Sequence, residues 1–97
     1  MTTTIELEPG DDGTGRYVAT LDGEEAGELT FRTDAAGHRV FVHTGVEERF
    51  EGNGLAGQLA TRALDDARAE GLKIVPQCPY VRSFLERHRD YLDLVAP

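Results

Sequence analysis

Arg49-Phe50-Glu51-Gly52-Asn53-Gly54-Leu55-Ala56 decides the reading of this sequence. The stretch lies between a strand-like run, Arg39 to Thr44, and a long helical pattern, Gly54 to Glu70. A glycine-rich turn that opens a helix leaves several backbone N–H groups free and aimed at one point. The aligned peptide dipoles add partial positive charge there. Such a turn is an anion site, and phosphate is its usual guest.

Downstream, Leu55, Leu59, Ala60, Ala63, Leu64 and Ala67 recur at spacings of three and four, with Arg62, Asp65, Asp66 and Glu70 opposite. Gly71 ends this helix. Leu72 to Val75 is a short buried-looking strand. Because a helix leads to it, the right-handed crossover rule makes it parallel to the strand before the turn. Pro76 stops normal ladder pairing, and Pro79 opens a second helix at its first turn. Tyr80, Val81, Phe84, Leu85 and His88 share one face of that helix, and Tyr91 to Val95 is a tail. The two parallel strands deliver the glycine turn and Cys78 to the same end of the sheet, where ligands of such units bind.

Upstream, the period is two. Thr2 to Glu8, Arg16 to Leu21, Glu24 to Arg32 and the Arg39 to Thr44 run read as four strands. Pro9 to Gly15 is a loop, Asp22-Gly23 a hairpin turn and Asp34 to Gly37 another turn. The joining turns are too short for crossovers, so these strands form an antiparallel meander. The fold class is α+β: a meander, then one β-α-β unit, then a C-terminal helix.

Length and composition bound the rest. Ninety-seven residues with 39% hydrophobic content make one small domain over 1–97. No apolar run approaches a membrane span, and the start, Met-Thr-Thr-Thr-Ile-Glu-Leu-Glu, has no signal pattern. A cytoplasmic location is the expectation, and the single cysteine suits a reducing compartment. The net charge is -8, from 18 acidic against 10 basic residues. That argues against nucleic acid and permits attraction of a cationic partner such as an amine. Local donors at the glycine turn must outweigh this field, so Arg49, Arg82 and Lys73 are candidates to help. Three histidines and one cysteine show no metal-ligand spacing, so no metal is expected.

Gly52-x-Gly54-x-x-Gly57 matches the dinucleotide fingerprint literally, but Gly45 to Glu51 separate it from its strand, and the chain is too short for a doubly wound sheet. NAD binding is rejected. Arg49-x-x-Gly52-x-Gly54, placed after a meander and before the long helix, instead resembles the pyrophosphate loop of the GCN5-related N-acetyltransferases. His43-Thr44-x-Val46, then Val75-Pro76-x-Cys78-Pro79-Tyr80-Val81, then His88-x-x-Tyr91 extend the likeness. They resemble the small, single-domain YjdJ-like subgroup of that superfamily over most of the chain.

The resemblance implies a truncated acetyltransferase core with acetyl-CoA between splayed fourth and fifth strands. Arg49 and the backbone of Phe50, Glu51, Gly52, Asn53, Gly54, Leu55 and Ala56 would hold the pyrophosphate. Thr44 and Val46 would line the pantetheine arm. Cys78, Pro79 and Tyr80 would lie toward the thioester, with Cys78 acting in catalysis or acyl transfer. The helices after the first strand and the late strands of full-length relatives have no room here, so the acceptor site is open or completed by a partner. Tyr80 is not matched to the general-acid tyrosine of larger relatives.

On chemistry alone, amine attack on a thioester needs a neutral amine, an oriented carbonyl and help for the leaving thiolate. Cys78, at a helix start, can serve as a nucleophile or be an inert buried thiol. His43 is a second catalytic candidate, as a base if it faces the cleft, although a structural role is the plainer reading. His88 shares a face with Phe84 and suits packing or capping. Two readings follow. One is an N-acetyltransferase acting on an unidentified amine, directly or through Cys78. The other is a CoA- or acyl-CoA-binding module with little or no transfer, acting through a partner. A monomer or weak homodimer is expected.

Overall fold

The computed structural model describes residues 2–97. Among the described residues the elements run β1 (Thr3–Pro9), β2 (Gly15–Leu21), β3 (Glu24–Thr33), β4 (Arg39–Val46), a 3-10 turn (Glu48–Phe50), α1 (Leu55–Ala69), β5 (Ile74–Pro76), α2 (Pro79–Arg87) and a closing 3-10 segment (Arg89–Leu94). The strands form one sheet in chain order. β1 to β4 pair antiparallel, and β5 joins β4 in parallel. This is the α+β arrangement expected from the short turns and the single helical crossover. At the β2–β3 turn Asp22 and Gly23 both have positive φ, 50° and 86°, the geometry whose twist matches the flanking strands.

The change of period from two to 3.6 residues places the core. Tyr17, Ala19, Leu21, Leu29, Phe31 and Phe41 face one side of the sheet. α1 lays Leu55, Leu59, Ala60, Ala63, Leu64 and Ala67 against them. The alanines let the helix approach the strands closely, and each leucine buried there contributes roughly 1.5–3 kcal/mol. α2 adds Val81, Phe84 and Leu85, and Ile74, Cys78 and Leu94 complete the same cluster. Tyr17 lies fully within it, yet its hydroxyl donates to Asp66 Oδ2 at 2.7 Å. Burial first, and the Asp66 carboxylate second, push the phenol pKa well up.

Side chains and tail make contacts along both edge strands, β1 and β5. Arg62 of α1 donates to the Ile5 carbonyl at 2.8 Å and to Asp66 at 3.0 Å, which satisfies a group on the β1 edge. On the other side the tail packs: Val95 bridges Ile74, and the Ala96 N–H donates to the Ile74 carbonyl at 2.8 Å. Lys73 Nζ donates to the Asp93 carbonyl at 2.7 Å, and Arg68 pairs with the Asp93 carboxylate. Among the described residues no helix is long and apolar enough to cross a membrane.

Several boundaries differ from the sequence expectation. β4 extends past Thr44 to Val46. α1 begins at Leu55, because Gly54 is left-handed (φ 73°) and serves as N-cap. β5 lacks Leu72 and Lys73 and includes Pro76, which stands opposite Phe41 as the last register pair. The consequential difference is a bulge: Phe31 faces Phe41 while Thr30 faces His43, so Val42 is an extra residue in β4. A bulge bends its strand and increases the twist. β5 follows β4 only along Arg39, Val40 and Phe41. The next bond, Cys78 N–H to the Phe41 carbonyl at 2.9 Å, turns the chain into α2. From Val42 to Val46 the outer edge of β4 has no strand neighbour among the described residues.

Candidate active site

The parting of β4 and β5 opens a cleft of about 310 Å³. Thr44, Gly45 and Val46 form one wall, Phe50 to Gly52 and Gly54 to Gly57 the other, and Tyr80 of α2 reaches it as well. The cleft therefore lies between an unpaired strand edge and the positive end of a fifteen-residue helix.

The donor inventory explains what that end offers. Phe50 N–H is bonded to the Glu47 carbonyl and Glu51 N–H to that of Glu48, and Gln58 N–H is the first to reach back, to Gly54. Between them, among the described residues, no N–H from Gly52 to Gly57 meets a protein acceptor. Gly52 and Gly54 have φ of 87° and 73°, and a Cβ built on either would touch nothing within 4 Å. Backbone conformation, not internal crowding, requires glycine there. The result is a run of unpaired amides bare of side-chain cover, which suits a diphosphate.

Of the residues singled out in the sequence, Thr44, Val46, Phe50, Glu51, Gly52, Gly54, Leu55, Ala56 and Tyr80 line this cleft. Asn53 belongs to the same turn, where its amide donates to the Phe50 carbonyl at 2.9 Å and holds the turn's shape. Arg49 is directed elsewhere. Its guanidinium stacks over the Phe50 ring at 4.5 Å and pairs with Glu47 at 3.2 Å and Glu24 at 3.6 Å. Lys73 is tied to the tail, and neither it nor Arg82 lines the cleft. In this arrangement the donors that the turn offers are main-chain ones.

Cys78 is 2% exposed and lies behind the cleft wall rather than on it. It is the N-cap residue of α2, with Pro79 at the first helical position. Its Sγ–H donates to Thr44 Oγ1 at 3.3 Å. His43 is exposed on the strand surface, with Nε2 only 3.0 Å from where a Cβ on Gly45 would stand. It is not part of the cleft lining. His88 stacks on Phe84 with ring centroids 4.0 Å apart and ends α2.

Gly45 and Gly57 line the cleft and were not singled out as site residues. Each had a signal: glycine inside a strand marks close backbone approach, and glycine inside a helix weakens it by roughly 0.5–1 kcal/mol relative to alanine.

Residues 16–94 match the sequence pattern of a family described as GCN5-related N-acetyl-transferase. No curated protein matches the chain. Among solved structures, a GCN5-like protein from Staphylococcus aureus superposes with a TM-score of 0.69 at 24% identity, over 94% of this chain and 87% of that one. A ribosomal-protein-alanine N-acetyltransferase from Brucella melitensis biovar Abortus 2308 gives 0.60 at 24% identity, over 90% of this chain and 68% of that one. A GNAT family acetyltransferase from Elizabethkingia anophelis, solved with acetyl-CoA bound, gives 0.62 at 20% identity, over 81% and 53%. At these identities the likeness establishes a shared fold.

Proposed function

The chain belongs to the GCN5-related N-acetyltransferase family, and we propose that it binds acetyl-CoA in the β4–β5 cleft and passes the acetyl group to an amine. The observation that carries this reading is the run of unpaired amides from Gly52 to Gly57 at the head of α1, opening on the cleft. These donors and the helix dipole hold a diphosphate without a basic side chain. The free main-chain edge at Thr44 to Val46 suits an amide-bearing arm, which can bond to it as an added strand would. Phe50, Leu55 and Tyr80 supply apolar cover. Acetyl-CoA brings an activated thioester, and the chain's task is to orient it and stabilise the departing sulfur. The net charge of -8 favours a cationic acceptor over an acidic one.

A second reading, a CoA-binding module without transfer, is favoured by the burial of Cys78 and by the absence of His43 from the cleft lining. Titration calorimetry with acetyl-CoA, followed by incubation of parent and Cys78→Ala with labelled acetyl-CoA and a panel of amines, separates the two. Acetylated amine supports the enzyme. Binding with neither product nor protein label supports the module, and absence of binding removes both.

A further inference from the structure

Cys78 is the one thiol of the chain, and it is sealed from the cleft while touching a residue that is not. Its S–H points at Thr44 Oγ1 across 3.3 Å, and Thr44 belongs to the cleft wall. A threonine hydroxyl has one proton and two lone pairs. Here one lone pair receives the Cys78 proton, while among the described residues the hydroxyl's own proton meets no protein acceptor. The Thr44 donor is therefore uncommitted among the described residues, on a residue of the cleft wall and at the end of a two-member chain that begins at a buried thiol.

We propose that Thr44 is a catalytic residue that protonates the departing thiolate, and that Cys78 acts through it as a proton source rather than as the acyl carrier. This rests on the acetyl-CoA reading above. As the amine nitrogen bonds to the acetyl carbon, the carbon–sulfur bond breaks and its electron pair stays on sulfur. Thr44 Oγ1 gives its proton to that sulfur and takes the Cys78 proton in the same movement. Cys78 is left as a thiolate at the N-terminus of α2, where the helix dipole favours negative charge. It regains a proton by the reverse path: the proton the nitrogen sheds on becoming an amide passes to solvent in the cleft and from there through Thr44 Oγ1 to the thiolate. No electron leaves the system, and no bond to Cys78 sulfur other than S–H is made. The thiol serves better than a second hydroxyl because it yields its proton more readily. Burial protects it from alkylation and oxidation.

The hydrogen bond can be read without any turnover. The infrared S–H stretch of this single thiol, recorded on the protein alone, moves to higher frequency in Thr44→Val and stays at its parent position in Thr44→Ser. Turnover is then followed as CoA release with hydroxylamine as the probe acceptor, alongside calorimetric titration with acetyl-CoA. Thr44→Val lowers kcat about 10²-fold or more while acetyl-CoA affinity holds, the size expected for loss of a positioned proton donor. Thr44→Ser restores it, and Cys78→Ala lowers kcat without an effect on affinity. An S–H stretch unmoved by Thr44→Val overturns the relay, as does parent-like kcat in that variant. Acetyl label on Cys78 in the absence of acceptor overturns it too, since the sulfur would then be the carrier. Parent protein that binds acetyl-CoA yet releases no CoA to hydroxylamine leaves the relay no reaction and ends it, with the cleft reading intact. Failure of the parent to bind acetyl-CoA removes the cleft reading itself.

Discussion

Replacing Gly54 with aspartate, and separately with asparagine, tests the proposed anion site and divides it into its two physical parts. Gly54 is the N-cap of α1 at φ 73° and ψ 18°, a region that costs an ordinary L-residue roughly 1–2 kcal/mol. No atom lies within 4 Å of a Cβ built there, so no clash adds to that strain. Asparagine and aspartate are the side chains that tolerate this region best. Both variants are therefore expected to lose about 1 kcal/mol of stability, or about 4–8 °C in Tm for a chain of this size. Binding separates them. The new carboxylate would stand at the head of the run of free amides. Two unit charges about 4 Å apart interact by about 4 kcal/mol at an effective dielectric of about 20. Salt and solvent reduce that, and a loss of about 10²-fold in CoA affinity for Gly54→Asp beyond that of Gly54→Asn is expected, since about 1.4 kcal/mol corresponds to tenfold. The assay is titration calorimetry at low and high salt, with thermal melts of the same samples. Equal CoA affinity in the aspartate and asparagine variants, or aspartate binding as tightly as parent, would refute the claim that a negative group sits on these amides.

Other outcomes follow from the same structure. Gly57→Ala should raise stability by about 0.5–1 kcal/mol, because its new Cβ would meet Tyr80 Oη at 3.7 Å and Phe84 at 4.0 Å in ordinary contact; the same methyl narrows the cleft, so urea midpoint and CoA affinity should move in opposite directions. Leu59→Ala empties a fully buried position on α1 and should cost about 2–5 kcal/mol in urea unfolding. Tyr91 donates to Asp65 Oδ1 at 2.7 Å, and that bond, ahead of desolvation, lifts its phenol pKa to about 12. The protonated form is the one the fold favours, so the contribution is complete below the ordinary tyrosine pKa of about 10 and is lost as pH rises from there through the folded value. Tyr91→Phe should flatten the loss of stability across that window, measured by urea midpoints at stepped pH.

The strand order and the parallel return were legible in the sequence because each rests on a local rule. Alternation, short turns and Gly-Pro punctuation act over a few residues, and a helix between two strands admits one handedness. The amide-rich turn was legible for the same reason: glycine spacing before an amphipathic helix is a local signal with a local consequence. Side-chain direction is different. Arg49 reads in sequence as a phosphate partner, but the folded chain brings Glu24 from β3 beside it, next to the neighbouring Glu47, and the Phe50 ring beneath it. A residue distant in sequence thus changes what the side chain meets.

By itself, then, the sequence determined the α+β architecture and the glycine turn with its unpaired amides, since both follow from periodicity and backbone conformation at consecutive positions. Only the tertiary structure decided how the cleft is made and what Cys78 touches. The extra residue at Val42 is a matter of register between β3 and β4, which no single strand encodes. Beyond it β4 has no β5 partner, and Thr44 meets a thiol 34 positions away in sequence. Proximity across such a separation is a property of packing, where the burial of the whole core, rather than any neighbouring residue, sets which groups meet.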